Sequence, residues 1–466
     1  MTDTTLASVM LFGYMSLALL VAIFFRNQFK FLQKLFLPAA VLAGFIILIT
    51  GPSMLGIYNV PMGKHIDAYV FHLITAIFII LGLRGYSSER NVPRTGTTTL
   101  FIAKVFSFQA ALGILLTMLI AISIQPGLFS GFGSFLMLGF GFDPTVSLYF
   151  GGFWEEELGF SNGRHIAFSF AVLGFLVAYI LGLLMIGIAK KRGEVSIYPR
   201  NEDSPVLSGI VDKDSQGISA GRLTTTSQAM ESLTLHLAVI GIVFLLSYSF
   251  MRLIARWMVS EFDAGFVIVA EVFMNFQFFF GFIFALLVKR IIRYFSVEHI
   301  LDEGLMNRSL GVASDYLVVA AIASIPLVIS SIRLWETLTL VLVGAVATYF
   351  FVIFLSRLLY KEEDCIERRA ALFGFVTGNI STSVALLRVV DPELRHPVGR
   401  DLAFAGVLTF FAAIPLIFII NLPLIAEETM YQLYAALISI GYIVVLYVIW
   451  TLFGIRKSRR EKKEQE

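Results

Sequence analysis

The stretch "LFGFVTGNISTSVALLRVVDP", residues 372–392, sets Thr377, Gly378, Asn379, Ser381, Thr382 and Ser383 almost side by side between apolar runs. Hydrocarbon offers hydroxyl and amide groups no hydrogen-bond partner, so a lipid-facing helix is a poor place for them. They must face something other than lipid. Their oxygens, joined by the carbonyls of a bent backbone, make a hard-ligand cage suited to Na⁺, with Thr377, Gly378 and Asn379 as candidate ligands. The N-terminus of a broken half-helix adds partial positive charge for an anionic substrate. Gly374 and Gly378 let the chain bend there. Small residues also let helices approach closely, which is the competing reading. Five oxygen-bearing side chains within residues 377–383 favour ligand binding.

A second broken segment, "LGFGFDPTVSLYFGGFWEEELG" at 138–159, is interrupted at Asp143-Pro144, where Thr145 and Ser147 could add oxygens. Asp143 reads as a cation ligand, a proton carrier or the cap of a half-helix, and the residues alone leave these open. Glu271 and Asn275 are four apart and share a helix face, lining either a path or a buried hydrogen-bonded contact. Arg388 could pair with a substrate carboxylate, or it could snorkel to an interface. His72 and His236, isolated among apolar residues, read as packing histidines. "GISAG" at 217–221 matches a nucleophile elbow but sits in a polar stretch without the strand and helix that motif needs. The sequence contains no HExxH and no phosphate-binding Walker loop, so no enzyme is expected and no cofactor beyond Na⁺ as coupling ion. The one cysteine, Cys365 in "YKEEDCIERR", rules out an intrachain disulfide and reads as an ordinary thiol. Asn307-Arg308-Ser309 matches a glycosylation acceptor, but the expected topology places it inside the cell.

The elements that must hold these residues are transmembrane helices. Of 466 residues 58% are hydrophobic and 15% charged, with a mean hydropathy of +0.83, outside the range of soluble domains. A net charge of +2 gives no reason to expect a nucleic-acid partner. Apolar runs long enough for a bilayer fall at 6–25, 34–50, 67–84, 100–124, 165–189, 234–254, 265–288, 312–331, 336–357, 402–421 and 430–453, about 11 crossings. The first lacks a basic n-region and a cleavage site, so it reads as a retained span. If both broken segments, 131–152 and 369–389, return to the side they left, the Lys/Arg-rich loops fall on one side. The N-terminus is then outside and the tail "RKSRREKK" cytoplasmic, where it can meet anionic headgroups. Both broken segments are therefore expected to be re-entrant.

Phe140-Gly141-Phe142 recurs as Phe373-Gly374-Phe375, and the same offset roughly superposes 34–50 on 265–288, 100–124 on 336–357 and 165–189 on 402–421. Each copy holds five crossings and one re-entrant loop. Five is odd, so the second copy enters from the opposite face, an inverted repeat of the kind that places a transport site between two discontinuous segments. The expected organisation is an all-α polytopic membrane protein with a first repeat at 1–189, a polar cytoplasmic linker at 190–232, a second repeat at 233–425, and an extra helix with a basic tail at 426–466.

The chain resembles the sodium/glutamate symporter family over about residues 5–425. The likeness rests on "LPAAVLAGFIIL", "GFGF", "WEEELGFSNGRHIAFSFAVLGF" and "GFVTGNISTSVALLRVVDP". It implies a homodimeric carrier of the bacterial inner membrane in which a transport domain bearing the re-entrant loops moves, elevator-like, against a scaffold. It also implies sodium-coupled uptake of glutamate or a related small carboxylate. After "GFGF" the chain reads Asp143-Pro144-Thr145-Val146-Ser147, where the family carries a Gly-rich polar run. A carboxylate there repels an anionic substrate unless it is protonated or paired with a cation. The alternatives are a carrier of another organic solute, proton-coupled through Asp143, and a channel or transport-incompetent sensor.

Overall fold

The computed structural model describes residues 3–29, 38–51, 54–57, 63–84, 94–142, 144–195, 221–226, 228–261, 274, 276–324, 332–361, 365–424 and 429–465. Among the described residues there is no strand. In chain order the helices are α1 (Asp3–Gln28), α2 (Ala39–Thr50), α3 (Gly63–Arg84) and α4 (Thr95–Ser123). A short composite segment follows, with a 3₁₀ turn at Phe132–Ser134, one α-helical turn at Phe135–Met137 and a π-helical turn at Leu138–Phe142. Then come α5 (Pro144–Glu157), α6 (Gly163–Lys191), α7 (Ser232–Glu261), α8 (Gln277–Tyr294) and α9 (Glu303–Ala323). The chain ends with α10 (Leu334–Tyr360), α11 (Ile366–Val376), α12 (Ile380–Val390), α13 (Val398–Asn421) and α14 (Thr429–Gln465).

Helices are the form such apolar sequence must take, because each backbone N–H and C=O then finds its partner within its own segment. Among the described residues eight, α1, α3, α4, α6, α7, α10, α13 and α14, are long and apolar enough to cross about 30 Å of hydrocarbon. The fold is that of an all-helical membrane protein. The other three expected crossings coincide with α2, α8 and α9, each of which borders residues outside the described set. Most of the expected linker also lies outside it.

The chain divides into two compact units, each discontinuous in sequence. The first takes Met1–Val92, Met185–Leu327 and Val384–Ala403; the second takes Pro93–Leu184, Val328–Ser383 and Phe404–Glu466. In the first unit α3 is the hub, packed against α8 and α9, while α2 also lies on α9, α1 on α2 and α7 on α8. These contacts are reciprocal. If α1, α2 and α3 correspond to α7, α8 and α9, then α2 on α9 mirrors α8 on α3, and α1 on α2 mirrors α7 on α8. Arg84 closes α3 by donating to Asn307 Oδ1 at 2.9 Å and to the carbonyls of Glu393 and Leu394 at 2.8 Å each.

In the second unit α4 is the hub, touching the composite segment, α10, α11 and α14. The Phe108 and Phe351 rings of α4 and α10 stack at 4.3 Å. The same reciprocity holds, since α11 packs on both α10 and α4, and the composite segment packs on both α4 and α10.

Candidate functional site

The earlier broken segment lies in the second unit, while the later one is divided, with α11, the break and Ser383 in the second unit and α12 from Val384 onward in the first; each is a helical hairpin. In the later one, α11 and α12 meet at Thr377-Gly378-Asn379. Ser383 Oγ donates to the Ala371 carbonyl at 2.5 Å, across twelve residues. A continuous helix would set those residues about 18 Å apart, so the chain doubles back at this break. Asn379 caps α12, its Oδ1 accepting from the Thr382 N–H at 3.1 Å and the Thr382 hydroxyl at 3.3 Å. Thr377 Oγ1 donates to the Phe373 carbonyl at 2.7 Å. Thr377, Ser381, Thr382 and Ser383 are buried, while Asn379 is half-buried. Several of the oxygens expected to hold a ligand therefore also build the hairpin, with only their remaining lone pairs left for a guest.

The earlier hairpin folds differently. The Phe135 and Trp154 rings of its two arms lie 5.1 Å apart, and Phe129 and Phe150 flank Trp154 at 5.7 and 5.8 Å. The indole Nε1 donates to Asn421 Oδ1 at 3.2 Å. Ser147, expected as a ligand, donates to the Ala167 carbonyl of α6 at 3.1 Å and is fully buried. Asp143 and the Thr145 side chain lie outside the described residues, as do Glu271 and Asn275.

Two residues on neighbouring helices bring the hairpins together. A Cβ on Gly174 of α6 would stand 2.8 Å from the Phe140 carbonyl oxygen and 2.9 Å from that of Thr377. One glycine thus admits the backbone of both breaks to the same point. On α4, Gln109 Nε2 donates to the Val376 carbonyl at 2.8 Å and reaches Thr348 Oγ1 of α10 at 3.4 Å. Its Oε1 lies against Gly141, where a Cβ would be only 2.1 Å away. Val376 fixes this amide orientation, since the flipped form would set oxygen against oxygen. Gln109 is fully buried, and among the described residues Oε1 has no hydrogen-bond donor. Tyr179 of α6, also buried, faces Thr382.

Gln109, Gly174, Thr348 and Tyr179 were not among the residues expected at the site. The signal for Gln109 was its lone amide inside "KVFSFQAALG", since a polar side chain within a span marks a site by default. Nothing in the sequence distinguished Gly174 from the chain's other 36 glycines. Arg388 has partners of its own: Nη2 meets Asp315 Oδ1 at 2.9 Å, and Nη1 donates to the Pro392 carbonyl at 2.9 Å. Both contacts belong to the first unit. His236 bonds the Ser232 carbonyl through Nδ1 at 2.7 Å and accepts the Asp302 N–H at Nε2 at 2.7 Å, as a packing histidine should. Burial pushes the Cys365 thiol up to about 11, so it stays protonated and unreactive at neutral pH.

The arrangement offers carbonyl, amide and hydroxyl oxygens and a capped helix N-terminus. Among the described residues no cluster of His, Cys, Asp or Glu could hold a metal ion. No protein-family model matches the chain, and no curated protein matches it.

Proposed function

We propose that this protein is a secondary active transporter, a sodium-coupled symporter of glutamate or a related small carboxylate. In this reading the hairpins are re-entrant, the two halves are inverted repeats, and a transport domain bearing the hairpins moves, elevator-like, against a scaffold. The protein works as a homodimer in a bacterial inner membrane, with its N-terminus outside and its C-terminus cytoplasmic.

The observation that carries the reading is the bridge made by Gln109. One amide touches the break in each hairpin, with its nitrogen on Val376 and its oxygen on Gly141, and that oxygen lacks a donor among the described residues. Leaving a buried acceptor unpaired costs about 1–3 kcal/mol. A monovalent cation drawn to the carbonyls of the two breaks would satisfy it. The N-terminus of α12, capped by Asn379, presents the charge a carboxylate needs. The reciprocal packing within each unit supports the inverted repeat, because a two-fold relation between halves exchanges partners in this way.

Uptake of labelled glutamate into proteoliposomes under an inward Na⁺ gradient, against a K⁺ control, tests the reading. Sodium-dependent accumulation is expected, and none would overturn it. Accumulation driven by a pH gradient and lost in Asp143→Asn would instead indicate proton coupling, and a conductance independent of any gradient would indicate a channel.

A further inference from the structure

Lys104 is out of place. It lies in the apolar α4, its side chain is fully buried, and among the described residues its Nζ has no hydrogen-bond acceptor. An ammonium withdrawn from water with no partner is among the costliest arrangements a membrane protein can contain. Two aromatic rings lie beside it: Nζ is 5.2 Å from the centroid of the Tyr447 ring and 5.6 Å from that of Trp450, both on α14. These distances fall within the reach of cation–π attraction, which strengthens when the cation is desolvated.

The face of α4 that carries Lys104 is not the face that serves the hairpins. Phe106, against Phe142, Gln109, against Val376, and Gly113, against Gly133, form one stripe at helical spacing. At about 100° per residue Lys104 stands roughly opposite that stripe, so it is no ligand of the candidate site. The two rings near its ammonium both belong to α14.

We infer that Lys104 is the docking point for α14. The aromatic pair Tyr447 and Trp450 receives the ammonium and fixes the C-terminal helix against α4 in one register. This makes the added helix conditional on a single charge. With the rings in place, the lysine is tolerated and holds α14; without them, the same lysine is an unpaired buried charge that destabilises the unit. The coupling is independent of what the protein transports.

A double-mutant cycle on the full-length protein in detergent tests this, with thermal unfolding and monodispersity as readouts. The variants are Tyr447→Leu with Trp450→Leu, Lys104→Met, and all three together. Removing the rings while Lys104 is present should lower the folded-to-unfolded ratio on the order of 30-fold more than removing them in the Lys104→Met background. Equal losses in the two backgrounds would overturn the inference. If the ring-less variant does not fold, recovery of folded protein on adding Lys104→Met supports the inference in its strongest form. If the triple variant also fails, Tyr447→Phe with Trp450→Phe decides. That pair keeps both π faces and should unfold within a few degrees of the native protein, and a loss as large as that of the leucine pair would overturn the inference.

Discussion

The two hairpins are held by different chemistry. The later one is held by hydroxyls and an amide, with Ser383 closing the arms onto Ala371 and Asn379 capping α12. The earlier one is held by rings, with Trp154 set among Phe129, Phe135 and Phe150, and its tip wound as a π-helical turn. A π turn leaves carbonyls out of the ordinary ladder and is frequent at functional sites. The difference teaches that a break in an apolar helix needs support for its bared backbone groups, and that either packing or hydrogen bonding can supply it. It also separates the work: the ring-built hairpin can be rigid while the hydroxyl-built one keeps oxygens that a ligand can recruit.

If this comparison is right, the largest loss comes from the rings. Trp154→Ala should destabilise the protein by about 3–5 kcal/mol, seen as a lowered melting midpoint of the purified protein, while Trp154→Phe keeps most of the packing. A mild effect from the alanine would show that the earlier hairpin is not ring-held.

Gly174→Ala comes next. A helix interior gains about 1 kcal/mol from replacing glycine with alanine when nothing obstructs the new methyl group. Here it meets two backbone carbonyls at 2.8 and 2.9 Å, so the sign should reverse. Net destabilisation of about 1–3 kcal/mol is expected, and on the proposed function uptake falls more than about tenfold by displacement of both tips. Gly187→Ala on the same helix, where a Cβ meets nothing within 4 Å, is the control and should keep the gain of about 1 kcal/mol.

Gln109→Met keeps the bulk and removes the bridge. Val376 loses its donor, at a cost of about 1–3 kcal/mol, and on the proposed mechanism the apparent affinity for Na⁺ falls while maximal uptake at saturating Na⁺ changes less. An unchanged Na⁺ dependence would assign Gln109 to packing alone.

The smallest effect belongs to the cap. Asn379→Ala should cost about 1 kcal/mol and Asn379→Ser a few tenths, read from thermal unfolding with and without glutamate. A ligand-induced stabilisation that survives the alanine change would separate the cap's structural role from any contact with substrate.

The asymmetry between the hairpins also explains what could be read from the sequence. Hydroxyl clustering announced the later hairpin, because "TGNISTS" cannot face lipid, and Thr377, Ser381, Thr382 and Ser383 are indeed buried. The eight long helices were legible from apolar runs alone. The earlier hairpin was located by its Asp-Pro break, yet Ser147 turned out to bond a neighbouring helix, and no role was expected of Trp154, its main support. Gln109 and Gly174 stayed hidden for a physical reason. Their importance lies in what approaches them from segments far away in the chain, and local pattern carries no record of that.

The bond from Gln109 to Val376 joins residues 267 positions apart. At a synthesis rate of about 5–20 residues per second, the amide of α4 is made roughly ten to fifty seconds before its acceptor exists. Throughout that interval the first half of the second unit sits in the bilayer with its central polar group unanswered, exposed to quality-control proteases and to mispairing with other helices. Assembly of this fold is therefore limited by the order of translation, and a slowed ribosome between α6 and α10 should lower the yield of folded protein without altering a single contact in the finished molecule.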